Sequence, residues 1–304
     1  MSGEVAGGPV AAVEHLTVRY DRVVAVDDVT LAVPAGSVTL LVGRNGAGKS
    51  SLVRCLLGQQ RASAGAARLF GKDAWSTRAR AMARIGVVPE SPDAPVTMTA
   101  RQLAAFCAQL YPHWDAAGVF ERLRCAHIPL EVPFGRLSKG ERAQVSLALA
   151  LAASPEFLVL DDPTLGLDPV ARRAVFDELI AELADRGTSV FLTSHDLAGV
   201  EGIAERIAVL HVGRLLVDET LEDLKARWRS LRVSADLDIT SLAPLHVVHS
   251  ARWPWGAEVV VDNFDQERFA ALSAREGMAG ASVEPTSLED IFLALAGAGR
   301  GGQA

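Results

Sequence analysis

The sequence predicts an α/β protein: a mostly parallel sheet covered by helices on both faces, followed by a small α+β appendage. Three observations lead there. A glycine-rich loop, Gly43-Arg44-Asn45-Gly46-Ala47-Gly48-Lys49-Ser50, joins an apolar run to a helical pattern. Short apolar runs then alternate with helical segments as far as residue 223, the pattern of a parallel sheet built from strand–helix–strand units. Beyond residue 223 that alternation gives way to strands of mixed polarity with two helical stretches.

Taken in order, residues 1–12 are small and mostly uncharged and are expected to form a loose tail. Val13 to Val33 alternates apolar and polar residues and reads as antiparallel strands. Pro34-Ala35-Gly36 turns the chain into Val38-Thr39-Leu40-Leu41-Val42, a buried strand, and Ser51 to Leu57 reads as a helix ending near Gly58. Ala66 to Phe70 and Arg84 to Pro89 are further strands. A helical subdomain is expected at about residues 91–153, with helical spacing from Thr99 to Ala126, a break at residues 111–115, and a long helix from Ser138 to Ala153. Phe157-Leu158-Val159-Leu160, Ser189 to Thr193 and Ile207 to Leu210 are buried strands, with an amphipathic helix from Val170 to Arg186. A charged helix from Leu221 to Arg229 is expected to close the first domain. In the appendage, residues 224–304, strands are expected at 231–235 and 258–261, and helices at 266–276 and 287–296 with Ser287 as cap.

The totals exclude several classes. With 304 residues, 49% apolar and 22% charged, the chain suits a globular protein of about two domains. Net charge is −7 and no block of Lys or Arg forms a stripe, which argues against nucleic acid as a partner. Cys55, Cys107 and Cys125 are scattered and odd in number, the usage of a reducing compartment, and read as buried thiols. The longest apolar stretch, Leu147 to Ala153, is far short of the ~18 residues a membrane helix requires. The start of the chain lacks the basic and apolar segments of a signal peptide. A cytoplasmic protein is expected.

The loop from Gly43 to Ser50 fits the phosphate-loop pattern G-x-x-x-x-G-K-S/T at every fixed position. Glycines let backbone N–H groups turn inward, and with the positive end of the following helix these form an anion site. Lys49 adds a point charge for the outer phosphates, the Ser50 hydroxyl is placed to ligate Mg²⁺, and Ser51 continues the nucleotide-binding set. The second constellation is Leu158-Val159-Leu160-Asp161-Asp162-Pro163. It puts Asp161 at the end of a buried strand, on the edge of an α/β sheet where ligands sit. Asp161 would hold Mg²⁺, directly or through water, and Asp162 would orient or deprotonate an attacking water. The third, Leu137-Ser138-Lys139-Gly140-Glu141, opens the long helix. It reads either as a second anion site or as a plain capping box closed by Glu141.

Together these motifs resemble the nucleotide-binding subunits of ABC transporters over about residues 13–223. The fold implied is a P-loop NTPase cassette with an antiparallel β subdomain and a helical subdomain. Ser138, Lys139, Gly140 and Glu141 stand at the signature motif, usually Leu-Ser-Gly-Gly-Gln. Asp168 follows the second carboxylate, where a loop meets the partner subunit, and His195 stands at the switch histidine that touches the γ-phosphate. Tyr20 falls where an aromatic ring stacks on adenine, although a tyrosine in a strand is also an ordinary packing residue. Glu90 falls where most members carry a glutamine near Mg²⁺. The resemblance implies ATP hydrolysis with Mg²⁺ in a head-to-tail homodimer, or a pair with a similar ATPase. Each ATP is clamped between one phosphate loop and the opposite signature helix. The end of the chain, Pro285 to Phe292, resembles a subclass of bacterial exporter ATPases whose multi-span membrane subunits are separate chains. That implies a peripheral position on the inner face of the membrane.

Three residues depart from the family pattern. Asp162 is one methylene shorter than the usual glutamate, and a misplacement on the order of 1 Å costs about 10²-fold in rate. Glu90 brings a charge in place of an amide. Lys139 and Glu141 replace Gly and Gln. The short carboxylate keeps open a second function, an ATP-gated regulatory module that clamps nucleotide and barely turns it over.

Overall fold

A computed structural model describes residues 8–164, 167–194, 197–234, 242, 244–254, 256–273 and 281–298. The chain divides between Asp218 and Glu219 into two units. Strand β1 (Ala11–Tyr20) takes up the end of the expected tail, because Ala11 is buried and pairs with both Val33 and Leu69. It lies between β2 (Val23–Val33) and β4 (Ala64–Leu69), both antiparallel to it, and β5 (Lys72–Asp73) completes this four-stranded sheet.

The second sheet holds six strands. In chain order they are β3 (Val38–Val42), β6 (Ile85–Val88), β7 (Phe157–Asp161), β8 (Ser189–Ser194), β9 (Arg206–His211) and β10 (Arg214–Thr220). Their spatial order is β10-β9-β3-β8-β7-β6. The ladders joining β9, β3, β8, β7 and β6 are parallel, and a turn at Val212 and Gly213 folds β10 back along β9. Every residue of β3 and β8 is buried, as expected of parallel strands covered on both sides. Helix α1 (Lys49–Leu56) packs Leu52, Val53, Cys55 and Leu56 into one core with Leu41, Phe157, Val159 and Phe191 from the parallel sheet and Leu16, Val18 and Leu31 from the antiparallel one. Burial pushes the Cys55 thiol up to about 11. The expectation of three buried thiols holds for Cys55 alone: Cys107 is half-buried and Cys125 exposed.

The helical segment carries a core of its own. Helices α3 (Ala100–Cys107), α4 (Ala116–Cys125) and α5 (Lys139–Ala152) gather Leu103, Val119, Leu123, Phe134, Val145 and Ala148. Thr99 and Gln102 form a capping box on α3, and Asp115 accepts the N–H of Gly118 at the start of α4. A short helix missed by the sequence reading, α2 (Ala74–Ala81), starts on the side chain of Asp73, which accepts the Ser76 N–H at 2.8 Å. Helices α6 (Pro169–Arg186) and α7 (Leu197–Val200) complete the first unit.

The second unit begins with α8 (Leu221–Arg227), the helix expected to close the first domain. It contains a four-stranded sheet in the order β12-β13-β11-β14, formed by β11 (Arg229–Ser234), β12 (Val247–Trp253), β13 (Gly256–Val261) and β14 (Ser282–Pro285). The described ladders of this sheet are antiparallel. Leu231, Val259, Val261, Phe269 and Leu272 form its core, with Phe269 and Leu272 supplied by α9 (Gln266–Ser273). The last helix is α10 (Leu288–Ala298), and Ser287 accepts the Asp290 N–H at 3.1 Å, the expected cap. Among the described residues no helix is long and apolar enough to cross a membrane.

Candidate active site

The carboxyl edge of the parallel sheet positions the site. Strand β3 runs out into the phosphate loop, and β7, two strands away in the same sheet, ends in Asp161. At ~4.8 Å per strand spacing, the two strand ends lie roughly 10 Å apart. Between them opens a cleft of about 430 Å³ lined by residues 44–51, Ala25, Glu90, Asp161 and Asp162. Charge and burial are arranged for an anion with a hard cation beside it. The loop presents N–H groups at the start of α1, and the oxygens of Ser50, Glu90, Asp161 and Asp162 share the same cleft.

The loop is held from below. Lys49 is 9% exposed, and its ammonium donates to the Gly43 carbonyl at 2.7 Å. Ala47 N–H closes a turn onto the Arg44 carbonyl at 3.0 Å, and Gly213 N–H, from the turn after β9, reaches the Ala47 carbonyl at 2.9 Å. Gly48 has φ +108°, and a Cβ built there would lie 2.2 Å from the carbonyl oxygen of Ala25 on β2. Only glycine satisfies both the left-handed backbone and that approach. Ala25, absent from the sequence reading, is therefore the floor against which the loop is pressed.

The two carboxylates are fixed from the neighbouring strand. Asp161 pairs with Thr193 across the β7–β8 ladder, and the Thr193 hydroxyl donates to Asp161 Oδ1 at 2.6 Å. Asp162 is 7% exposed and sits in the left-handed region at φ +50°. Its N–H is shared between the Thr193 carbonyl, at 3.1 Å, and the Thr193 hydroxyl, at 3.0 Å.

Other expected site residues lie elsewhere. Tyr20, at the end of β1, is 42% exposed, with its hydroxyl donating to Gln60 Oε1 at 2.6 Å and lying 3.3 Å from Ser51 Oγ. Ser138 caps α5: its hydroxyl accepts the Glu141 N–H at 3.2 Å, and the Glu141 carboxylate accepts the Ser138 N–H at 2.7 Å. The capping-box reading of this segment therefore holds, at a helix start whose Ser138 and Lys139 are exposed. The lining of the cleft includes none of the residues Ser138, Lys139, Gly140 and Glu141. Asp168 is exposed and accepts the Val170 N–H at 2.9 Å at the start of α6. His195 lies outside the described residues.

Comparison with known proteins agrees with this geometry. Residues 26–165 match the ABC transporter family. The chain is 32% identical over 313 residues to the daunorubicin/doxorubicin resistance ATP-binding protein DrrA of Streptomyces peucetius, spanning 95% of this chain and 93% of that one. It is 31% identical over 299 residues to the Nod factor export ATP-binding protein I of Mesorhizobium japonicum, spanning 93% and 85%. A solved ATP-binding subunit of an ABC transporter superposes with a TM-score of 0.64 at 27% identity, over 71% of this chain and 92% of that one. With the phosphate loop after β3, the two carboxylates at the end of β7 and a separately packed helical segment, the chain belongs to the ATP-binding subunits of ABC transporters.

Proposed function

We propose that this chain hydrolyses ATP with Mg²⁺ as the motor subunit of an exporter. On this reading two copies, or one copy and a similar ATPase, pair head to tail beneath separate multi-span membrane subunits, on the cytoplasmic face of the membrane. The observation that carries the reading is the convergence of Lys49, Ser50, Asp161 and Asp162 on one cleft at the mouth of the phosphate loop. Pairing is supported by the signature: an anion-binding helix start that is exposed and lies outside the lining of its own cleft suits the nucleotide of a second subunit. Export is supported by what the two relatives are named for, drug resistance and Nod factor export.

The donors fit Mg²⁺. The Ser50 hydroxyl and the Asp161 carboxylate are hard oxygen ligands, with Glu90 on the same wall. Among the described residues no group of three or more His, Cys, Asp or Glu converges on one point. Ser50, Asp161 and Glu90 would supply protein oxygens to an ion that keeps several waters and binds largely through substrate phosphates. When bound, Mg²⁺ would supply charge neutralisation for the phosphates.

The residues of the chain do the rest. Backbone N–H groups of the loop and the start of α1 hold the phosphates in line, and Lys49, released from the Gly43 carbonyl, offsets charge on the outer ones. The Asp162 carboxylate accepts a proton from the attacking water and fixes its direction. Tyr20 supports the adenine ring, Asp168 meets the partner subunit, and His195 contacts the γ-phosphate. Exclusion of water on closure strengthens each of these contacts.

Purified protein with Mg-ATP tests the reading through phosphate release and oligomeric state. The parent is expected to turn over slowly, and Asp162→Asn to bind ATP, accumulate as a dimer and release no phosphate. Equal phosphate release by Asp162→Asn and the parent removes Asp162 from its catalytic role. A chain that stays monomeric when saturated with Mg-ATP removes the paired site.

A further inference from the structure

We propose that Thr193 is a positioning residue for the reaction, setting the metal-binding carboxylate and the catalytic carboxylate with a single hydroxyl; this rests on the ATPase reading above. Thr193 is 0% exposed, next to the last residue of a strand whose other residues are Ser189, Val190, Phe191, Leu192 and Ser194. A buried hydroxyl must find partners, and one on a strand can find them on backbone alone. This one spends its donor on Asp161 Oδ1, at 2.6 Å, and accepts the N–H of Asp162, at 3.0 Å.

Both contacts have consequences for chemistry. A hydroxyl has one hydrogen to donate, and the bond to Oδ1 uses it to orient the Asp161 carboxylate, the part an outer-shell partner takes for a metal-ligating acid. The bond from the Asp162 N–H, shared with the Thr193 carbonyl at 3.1 Å, anchors a residue whose φ of +50° costs about 1–2 kcal/mol outside glycine. Asp162 is the shorter of the two acids found at such a position, so its reach depends on where its backbone is held. Parallel pairing of β7 and β8 puts Asp161 and Thr193 in register. Any residue at 193 would face the same two groups, and the hydroxyl of a serine or threonine both donates to the acid and accepts from the amide through one uncharged atom.

The test uses Thr193→Val, of nearly equal volume, and Thr193→Ser, which restores the hydroxyl. Nucleotide affinity is measured in EDTA and across a Mg²⁺ titration, with thermal midpoints and phosphate release alongside. For Thr193→Val, affinity in EDTA is expected within twofold of the parent. Its half-saturating Mg²⁺ concentration rises and its turnover falls by about 10–100-fold, the range for lost outer-shell partners. Thr193→Ser returns both to within about threefold of the parent. Parental Mg²⁺ dependence and turnover in Thr193→Val overturn the proposal. So does a loss of affinity in EDTA as large as the loss with Mg²⁺, the mark of a merely structural role. Should Thr193→Val fail to fold, Thr193→Cys keeps the shape with a much weaker donor and is read in the same way. A parent that releases no phosphate defeats the ATPase reading, and the Mg²⁺ titration still decides the role of Thr193.

Discussion

Gly46 and Gly48 give the phosphate loop a built-in comparison. Both have left-handed backbones, at φ +81° and +108°. Alanine at either position carries the strain of that region, about 1–2 kcal/mol. Only at Gly48 does the added Cβ collide. It would stand 2.2 Å from the Ala25 carbonyl oxygen, whereas a Cβ at Gly46 meets nothing within 4 Å. Relieving the contact at Gly48 requires loop and strand to part by roughly 1 Å before ordinary packing distances return. A shift of that size in a site built for phosphate oxygens costs about 10²-fold. In a titration with a fluorescent ATP analogue, Gly46→Ala is therefore expected to bind within about 30-fold of the parent, the equivalent of its backbone strain alone. Gly48→Ala is expected to bind at least about 100-fold more weakly. Similar damage in the two variants, or near-parental binding by Gly48→Ala, refutes the argument that the Ala25 contact sets the loop.

Two further outcomes follow from the contacts of Tyr20 and of Glu156. Tyr20→Phe removes the hydroxyl bonded to Gln60 but keeps the ring, so nucleotide binding is expected to stay within about twofold of the parent, whereas Tyr20→Ala loses a stacking contact of about 0.5–1.5 kcal/mol and binds about 2- to 12-fold more weakly; equal effects in the two variants disprove stacking. The Arg84 guanidinium, bonded to both Glu156 oxygens at 2.5 Å, holds that carboxyl below its ordinary value. The depressed value means that the pair stabilises the fold above the unfolded carboxylate's pKa and stops doing so as pH falls through the folded one. Both side chains are about half exposed, so Glu156→Gln is expected to cost at most about 1 kcal/mol at pH 7 and progressively less as pH falls through the folded carboxyl's depressed pKa, as measured by urea unfolding. A cost independent of pH would show that shape, not charge, is what Glu156 contributes.

Much of the fold is legible in the sequence because it rests on short-range signals. The phosphate loop announces itself by fixed spacing between an apolar run and a helix, and β3, β7 and β8 by apolar residues buried on both faces. What escaped lacks such periodicity. Helix α2 buries only Ala74 and Ala81 and depends on its Asp73 cap. Strand β10 buries only Val217, and β12 and β14 are edge strands with no fully buried residue. The division into antiparallel strands early in the chain and a mostly parallel sheet was legible from alternation and from strand–helix succession; the order of strands within each sheet depends on long-range pairing that no local pattern encodes. The site follows the same division. Lys49, Ser50 and the two carboxylates were found from motif spacing. Ala25 and Thr193 matter through contacts from neighbouring strands. A polar residue inside the apolar β8 was the one available hint for Thr193. The capping partnership of Ser138 and Glu141 was readable as one of two alternatives, and the hydrogen bonds show that the cap is formed.

Helix α5 links these findings in a mechanical way. Its 14 residues make a rod about 21 Å long, with no proline and no glycine after Gly140 to absorb bending. One end is the exposed turn at Ser138; the other leads through residues 153–156 into β7, which finishes at Asp161. The exposed helix tip and the strand bearing Asp161 are thus consecutive along the chain, separated by one unbroken helix and a four-residue connection.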